Sequence, residues 1–192
     1  LERISDVDGR LRYWTIVDNQ YDVTISTACS QLDDIVVETM EIGQQYNEYL
    51  RSQHWGYTRF ICVNKLRQFR MDPISTPMNC PRLFDLISPK DPKFLPAFYS
   101  VLRDTLVAEN LNAANRAAYG SNKRYRVVTL DGKLIDTSGT LSGGGNYVHR
   151  GGMRTKSNST YDDAELYTEE DVNHLESELV AKEKHFQVAQ DT

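Results

Sequence analysis

The side chains that could do chemistry in this chain do not stand at catalytic or metal-binding spacings. The four histidines show no H-E-x-x-H pattern, and the three cysteines form no C-x-x-C pair. Ser138 and Ser142 lie among glycines without the G-x-S-x-G sequence of a nucleophile elbow. Adjacent acids such as Asp33 and Asp34 are typical of helix starts and solvated faces. The sequence therefore predicts no catalytic residue, no metal ligand and no enzyme activity.

Nucleotide chemistry is not indicated either. No G-x-x-x-x-G-K-[ST] phosphate loop occurs, and the glycine run at residues 143–145 has no lysine that could reach a nucleotide phosphate. We therefore expect no cofactor in this chain.

The most informative pattern is a set of glycines in a segment whose other residues favour strands. They follow the order G-x6-G-x3-G-G-G and are Gly132, Gly139, Gly143, Gly144 and Gly145. Glycine weakens a strand, so several at fixed intervals indicate that another backbone approaches closely. We interpret this edge as a dimer interface; the alternative is that these glycines serve only tight turns and a flexible exit.

Two basic clusters flank the glycine segment. Their members are Arg116, Lys123, Arg124 and Arg126 before it, and Arg150, Arg154 and Lys156 after it. Tyrosines lie among them, and aromatic rings beside cations can stack on the bases of single-stranded nucleic acid. The clusters are candidates for DNA contact, with a solvated basic face as the alternative.

Charge is distributed unevenly along the chain. Residues 158–192 contain ten acids and two lysines, whereas residues 1–157 contain 17 acids and 20 lysines or arginines. The formal net charge of −5 therefore conceals a mildly basic body. No apolar run approaches the roughly 18 residues of a membrane span, and no signal-peptide pattern is present. We expect an intracellular protein with reduced cysteines and no membrane contact.

Hydrophobic periodicity predicts an α/β mixture. Strands are predicted at residues 21–26 and 57–63, with a helix from residue 32 to near Gly56 between them. Six prolines make residues 72–96 an irregular connection. Helical spacing from Leu95 to Ala118, broken near residues 110–112, ends at Gly120, and a hairpin turning at residues 130–132 follows. Residues 158–192 contain a short heptad seam that predicts a coiled coil.

The same segments carry a resemblance. The glycine-rich stretch RVVTLDGKLIDTSGTLSGGG resembles the signature near the end of the hinge domain of SMC (structural maintenance of chromosomes) proteins. Residues 21–29 (YDVTISTAC), 32–39 (LDDIVVET), 72–86 (DPISTPMNCPRLFDL) and 98–110 (FYSVLRDTLVAEN) are similar, in order, to the condensin SMC subunit of the chromosome-associated-polypeptide-C type. The resemblance covers roughly residues 9–150.

The resemblance implies a hinge-like fold of two subdomains with a C-terminal coiled-coil segment. Residues 1–8 would end the incoming arm, 9–110 and 111–157 would form subdomains I and II, and 158–192 would begin the outgoing arm. The implied partner is the hinge of the other condensin SMC subunit, with homodimerisation of the isolated chain and DNA contact, preferably single-stranded, as further expectations. ATP and Mg²⁺ would act only in the head domains of a longer protein. That protein would be located on chromosomes in the nucleus, and in the cytoplasm for part of the cell cycle.

One segment departs from the family pattern. Where such hinges usually carry a GRLGDLG-like sequence, this chain has Gly9, Arg10 and Leu11 followed by Arg12, Tyr13, Trp14 and Thr15. Bulky residues there would prevent the same close backbone approach, which suggests a specialised condensin variant. The other functions considered are a cohesin-type hinge and a single-stranded-nucleic-acid-binding module that needs no partner hinge.

Overall fold

A computed structural model describes residues 7–54, 56–143 and 148–155 of the chain. The chain divides into two compact units, Leu1–Ser157 and Asn158–Thr192, and the second unit, with its predicted coiled coil, lies outside the described residues. The predicted incoming arm, residues 1–8, is described only at its last two residues, which begin the first strand.

Short strands and helices alternate along the first unit. The earlier elements are β1 (Val7–Arg10), β2 (Thr15–Val17), α1 (Asp22–Ala28), β3 (Ile35–Val37), α2 (Met40–Ser52) and β4 (Phe60–Cys62). The later elements are β5 (Ile87–Pro89), α3 (Leu95–Leu102), β6 (Leu106–Ala108), α4 (Leu111–Tyr119), β7 (Val127–Thr129), β8 (Leu134–Ile135), β9 (Leu141–Ser142) and β10 (Arg154–Thr155).

The strands form three small mixed sheets. Their orders are β1-β3-β4, β10-β2-β5 and β6-β7-β8-β9. Parallel pairs (β3 with β4, β6 with β7, β10 with β2) occur beside antiparallel ones, which confirms the predicted α/β mixture. Strand β6 precedes residue 110, the predicted subdomain boundary, yet joins the sheet of β7–β9.

Two apolar clusters hold the sheets and helices together. The larger one includes Phe94 and Phe98, and the smaller one packs alanines of α4 against β6, β7 and β8. Ala114 and Ala117 are fully buried, and their small side chains let the helix lie close to the sheet. Cys29 is a buried free thiol, and burial raises its pKa to about 12. It is therefore protonated at neutral pH and a poor nucleophile.

The strand predicted at residues 21–26 is wrong, because this segment is helix α1 (Asp22–Ala28). Valine, isoleucine and threonine favour strands, and they suggested one here. Ile25 and Ala28, however, lie three residues apart on one helical face and are both buried in the larger core. Burial of that face outweighs the intrinsic preference of the β-branched residues.

The helix predicted from residue 32 begins later than expected. Residues 35–37 form β3, which lies between β1 and β4 in its sheet, so its β-branched residues are paired on both sides. Helix α2 starts only after Thr39, whose hydroxyl accepts a hydrogen bond from the Ile42 amide at 3.3 Å. The predicted strand at residues 57–63 is confirmed in its second half, at β4.

The helical region predicted at residues 95–118 contains a strand that the spacing did not reveal. It comprises α3, the fully buried strand β6, and α4, which is capped by Asn110 and by Gly120, where the helix was predicted to stop. A three-residue buried strand has too few residues to show a period of two. The proline-rich segment, residues 72–96, is mostly irregular as predicted, with 3-10 turns and β5 within it.

A buried arginine fixes this proline-rich segment to the end of α3. The Arg82 side chain is 1% exposed and forms two hydrogen bonds with the Asp85 carboxylate, at 3.0 and 2.6 Å. It also donates to Asp104 at 3.3 Å and to the Met71 carbonyl at 3.0 Å, and it lies over the rings of Phe84 and Tyr99. Each nitrogen of the guanidinium therefore donates a hydrogen bond, as burial of a charge requires.

We expect Arg82→Met to lower the free energy of unfolding by about 2–4 kcal/mol, because it removes the donor of the Met71 carbonyl and the Asp85 carboxylate and one of the two cations at Asp104. Urea denaturation measures this decrease. Arg67→Met is the matched control: Arg67 is exposed, so its replacement should cost about 0.5 kcal/mol or less. Equal decreases in the two variants would contradict a structural role for Arg82.

Candidate functional site

The glycine segment folds as a three-stranded ribbon. Strands β7 and β8 pair antiparallel, and the Gly132 amide donates to the Thr129 carbonyl at 3.1 Å in the turn between them. The side chain of Thr129 supports this turn by accepting from the Lys133 amide at 2.9 Å. These contacts confirm the hairpin predicted at residues 130–132. Strand β9, which the sequence did not reveal, adds antiparallel to β8.

Gly132 and Gly143 make close approaches within the chain itself. Gly132 has φ +84°, and a Cβ there would lie 3.0 Å from Val23 Cγ1 of α1. Gly143 has φ +111°, and a Cβ there would lie 2.7 Å from the Gly132 carbonyl oxygen and 3.0 Å from Lys133 Cα. The backbone that approaches Gly143 is thus the preceding turn of the same ribbon. Both glycines shape the ribbon, and their predicted part in a dimer stays a prediction.

Gly139 differs from these two because no other part of the chain packs against it. It has φ +95° in the turn between β8 and β9, and a Cβ there would meet nothing within 4 Å. Its amide donates to the Asp136 carbonyl at 2.9 Å, which closes the turn. Gly144 and Gly145 lie outside the described residues.

Strand β9 forms an outer edge of the four-stranded sheet. Among the described residues it pairs with β8 on one side and with no strand on the other. The opposite edge strand, β6, is covered, because the Val107 amide donates to the Pro81 carbonyl at 2.9 Å. Leu141 of β9 is 57% exposed. An apolar side chain therefore lies at a strand edge that has no partner strand among the described residues. Such an edge is a template for pairing with another chain.

The structure brings three of the predicted DNA-contact residues together in one pocket, whose lining includes neither Arg116 nor Arg150. Lys123, Arg124 and Arg126 line a pocket of about 290 Å³, and Arg103, which the sequence did not single out, completes its cationic lining. Arg116 is exposed on α4, and Arg150 is exposed before β10. Arg154 lies in β10, and Lys156 lies outside the described residues.

Asp104 is the carboxylate of this pocket, and it neutralises part of the charge. It accepts from Lys123 at 3.3 Å, from Arg82 at 3.3 Å and from the Tyr99 hydroxyl at 3.0 Å. Burial alone would raise the pKa of Asp104, but these hydrogen bonds outweigh it and lower the pKa below its ordinary value. Asp104 is therefore charged at neutral pH. Arg126 in turn lies 3.5 Å from Asp136.

The segment that departs from the family pattern packs within the chain. Gly9 has φ +87° at an irregularity in β1, and Leu11–Trp14 form a 3-10 turn. The Trp14 ring stacks on Phe94 with centroids 4.3 Å apart. Arg10 and Arg12 pair with Asp33, Arg10 at 3.2 Å. Arg12 and Trp14 thus make contacts within the chain, and a specialised variant stays a prediction.

The described part of the chain contains no group of three histidine, cysteine or acidic residues that could hold a metal ion. Within the same residues, no helix is both long and apolar enough to cross a membrane.

Comparisons with known proteins agree with this geometry. The family model described as the SMC proteins Flexible Hinge Domain matches residues 4–118. The chain is 56% identical to Structural maintenance of chromosomes protein 4 of Saccharomyces cerevisiae over 99% of its own length, and 44% identical to the Homo sapiens protein of that name over 92%. It spans 13% of the length of each of these relatives.

Solved structures show the same fold. The hinge domain of the Pyrococcus furiosus SMC protein superposes with a TM-score of 0.62 at 26% identity, covering 74% of each chain. A Geobacillus stearothermophilus SMC hinge domain, described as an asymmetric dimer, gives a TM-score of 0.68 at 24% identity and covers 76% of this chain and 62% of that one.

The two ribbon glycines Gly143 and Gly139 provide a matched test of the close approach. Alanine at either position is strained by its positive φ, at a cost of about 1–3 kcal/mol. Only Gly143→Ala also drives a Cβ against backbone, so we expect its free energy of unfolding to fall further than that of Gly139→Ala, by at least about 1 kcal/mol. Urea denaturation of both variants measures the difference, and equal decreases would contradict the packing described for Gly143.

Proposed function

The chain belongs to the SMC flexible hinge domain family, as its resemblance predicted, and we propose that its activity is dimerisation with the hinge of the other condensin SMC subunit. The observation that carries this proposal is the open edge of β9, with Leu141 exposed beside it. A partner strand would satisfy the free backbone groups of that edge and cover the leucine.

Similarity to SMC protein 4 of yeast and human supports the choice of condensin over cohesin as the complex. The described dimer of the Geobacillus hinge supports association as the activity. Self-association of the isolated chain is proposed as a further property, with no ranking against the partner hinge.

The function proposed here is mechanical. Joining two hinges would join two long coiled-coil arms at one end, so that ATP cycling with Mg²⁺ in distant head domains could act on DNA during chromosome condensation. These activities belong to a longer protein, of which this chain would be about an eighth, judged from its relatives. The proposed location is the chromosomes in the nucleus, and the cytoplasm for part of the cell cycle.

Leu141→Lys should weaken association with the partner hinge at least about tenfold, because it places a charge where the partner would cover an apolar side chain. Sedimentation velocity on mixtures of the two hinges measures the affinity. Leu141 is exposed, so the variant should keep the thermal stability of the unchanged chain.

Tyr57→Lys is the matched control, because Tyr57 is 89% exposed and lies outside the glycine ribbon. Its affinity for the partner hinge should stay within about twofold of the unchanged chain. Full affinity in a well-folded Leu141→Lys variant would remove β9 from the interface.

A second proposal is DNA contact through the basic residues around the ribbon. The observation that favours it is that Arg116, Lys123, Arg124 and Arg150 are all exposed. Their positive charges are available to release counterions from a phosphate backbone.

Replacing those four residues together by glutamine should weaken binding of a single-stranded oligonucleotide and flatten its salt dependence, by about 0.7 in the logarithmic slope for each phosphate that the variant no longer neutralises. Fluorescence anisotropy over a salt series measures both quantities. The control removes the same charge from exposed Arg51, Lys65, Arg67 and Arg70. If the control changes the affinity and the salt dependence equally, the effect comes from net charge alone and the proposed DNA contact is wrong.

A further inference from the structure

The basic pocket is a concave site rather than an open stripe of charge. Its wall comes from the end of α3 and the residues that follow it (residues 101–105), from the segment leading into β7 (residues 123–126) and from Thr137 after β8. Three separate chain segments thus bring four cationic side chains and one carboxylate around a volume of about 290 Å³. That excess of positive charge over the single carboxylate favours an anionic occupant.

Arg103 and Arg124 have no carboxylate partner among the described residues. The Arg103 guanidinium lies 4.3 Å from the Phe69 ring centre and donates from Nε to the Ser100 carbonyl at 3.0 Å. The Arg124 guanidinium lies 5.7 Å from the Tyr119 ring centre and makes one long contact, 3.5 Å, to the Thr137 carbonyl. A guanidinium held on an aromatic face keeps its edge donors available for phosphate oxygens.

Lys123 and Arg126 differ because each is paired with an acid. Their partners, Asp104 and Asp136, hold them in place at the pocket wall. The pocket therefore combines two positioned ion pairs with two arginines whose charge is not balanced by a neighbouring acid. The two unbalanced arginines match the two negative charges of a phosphomonoester near neutral pH.

The backbone at Arg103 is strained. Arg103 follows α3 with φ +50° and ψ −141°, and its amide donates to the Tyr99 carbonyl to close the helix. Glycine is the usual residue just after a helix when φ is positive, because it has no Cβ. Residues whose backbone is held in such a conformation by the surrounding structure are often found at functional sites. Here the strained residue is also one of the two unbalanced cations.

A base inside the pocket would find no open aromatic ring, which distinguishes the pocket from the exposed basic residues considered for DNA contact. Stacking of a base needs an open aromatic face, but Tyr125 is 8% exposed and its ring carries the Lys123 ammonium at 4.7 Å. The apolar part of the wall, Val101 and Leu102, suits the carbon stem of a side chain. We propose that this pocket binds the phosphate of a phosphorylated serine or threonine on a partner protein. This proposal does not depend on dimerisation through β9.

Titration of the ¹⁵N-labelled chain with O-phosphoserine tests the site directly. We expect saturable amide shifts confined to residues 101–105, 123–126 and 137, and no such shifts with serine at the same ionic strength. Arg124→Gln should weaken the affinity at least about tenfold, since it removes a charge-assisted contact from an exposed residue. Arg103→Gln is the second variant, with the same expectation.

Arg67→Gln removes the same charge from an exposed position outside the pocket, and its affinity should stay within about twofold of the unchanged chain. Absence of saturable shifts, or an equal weakening in the control, would overturn the proposal. A six-nucleotide thymidine strand forms the last arm of the experiment. If the strand, with or without a 5′ phosphate, saturates the shifts of residues 101–105 and 137 at a lower concentration than O-phosphoserine does, the pocket itself belongs to a nucleic-acid surface and the proposal is wrong.

Discussion

The backbone of a strand at a sheet edge needs hydrogen-bond partners, and this constraint governs the glycine ribbon. Strand β9 has a neighbour on one side only among the described residues. The opposite edge of the same sheet is closed by the segment around Pro81 and Arg82. Among the described residues, the chain thus covers one edge with its own backbone and pairs no strand with the other, where Leu141 is exposed, and this asymmetry is the reason for proposing β9 as the docking strand.

The glycines contribute to this edge indirectly. The sequence predicted that they admit the backbone of another subunit. Within the chain, Gly143 admits the Gly132 turn and Gly132 lies against α1, while their contact with another subunit stays a prediction. Their positive φ values and close packing fold the ribbon so that β9 lies at the outside of the sheet. Gly139, which meets nothing within 4 Å, is the described glycine of this set that still leaves room for a partner backbone.

Local signals in the sequence predicted the α/β class, the turn at residues 130–132 and the end of α4 at Gly120, because turn and capping chemistry acts over a few residues. The sequence failed where packing decides. Burial of Ile25 and Ala28 makes α1 a helix despite its β-branched residues, and β6 is too short to show a period. Nor could spacing place Arg103 and Lys123 in one pocket, or predict the hydrogen bond between Arg82 and Asp104. Both arise only where α3, the proline-rich segment and the start of β7 meet in the fold.

Hydrogen–deuterium exchange of the chain, alone and mixed with a condensin partner hinge, tests the central claim most directly. If β9 is the docking strand, the amides of Leu141 and Ser142 will exchange more slowly in the mixture, because a partner strand protects them. Unchanged exchange at these two amides in a formed complex, with protection confined to other segments, would contradict docking through β9.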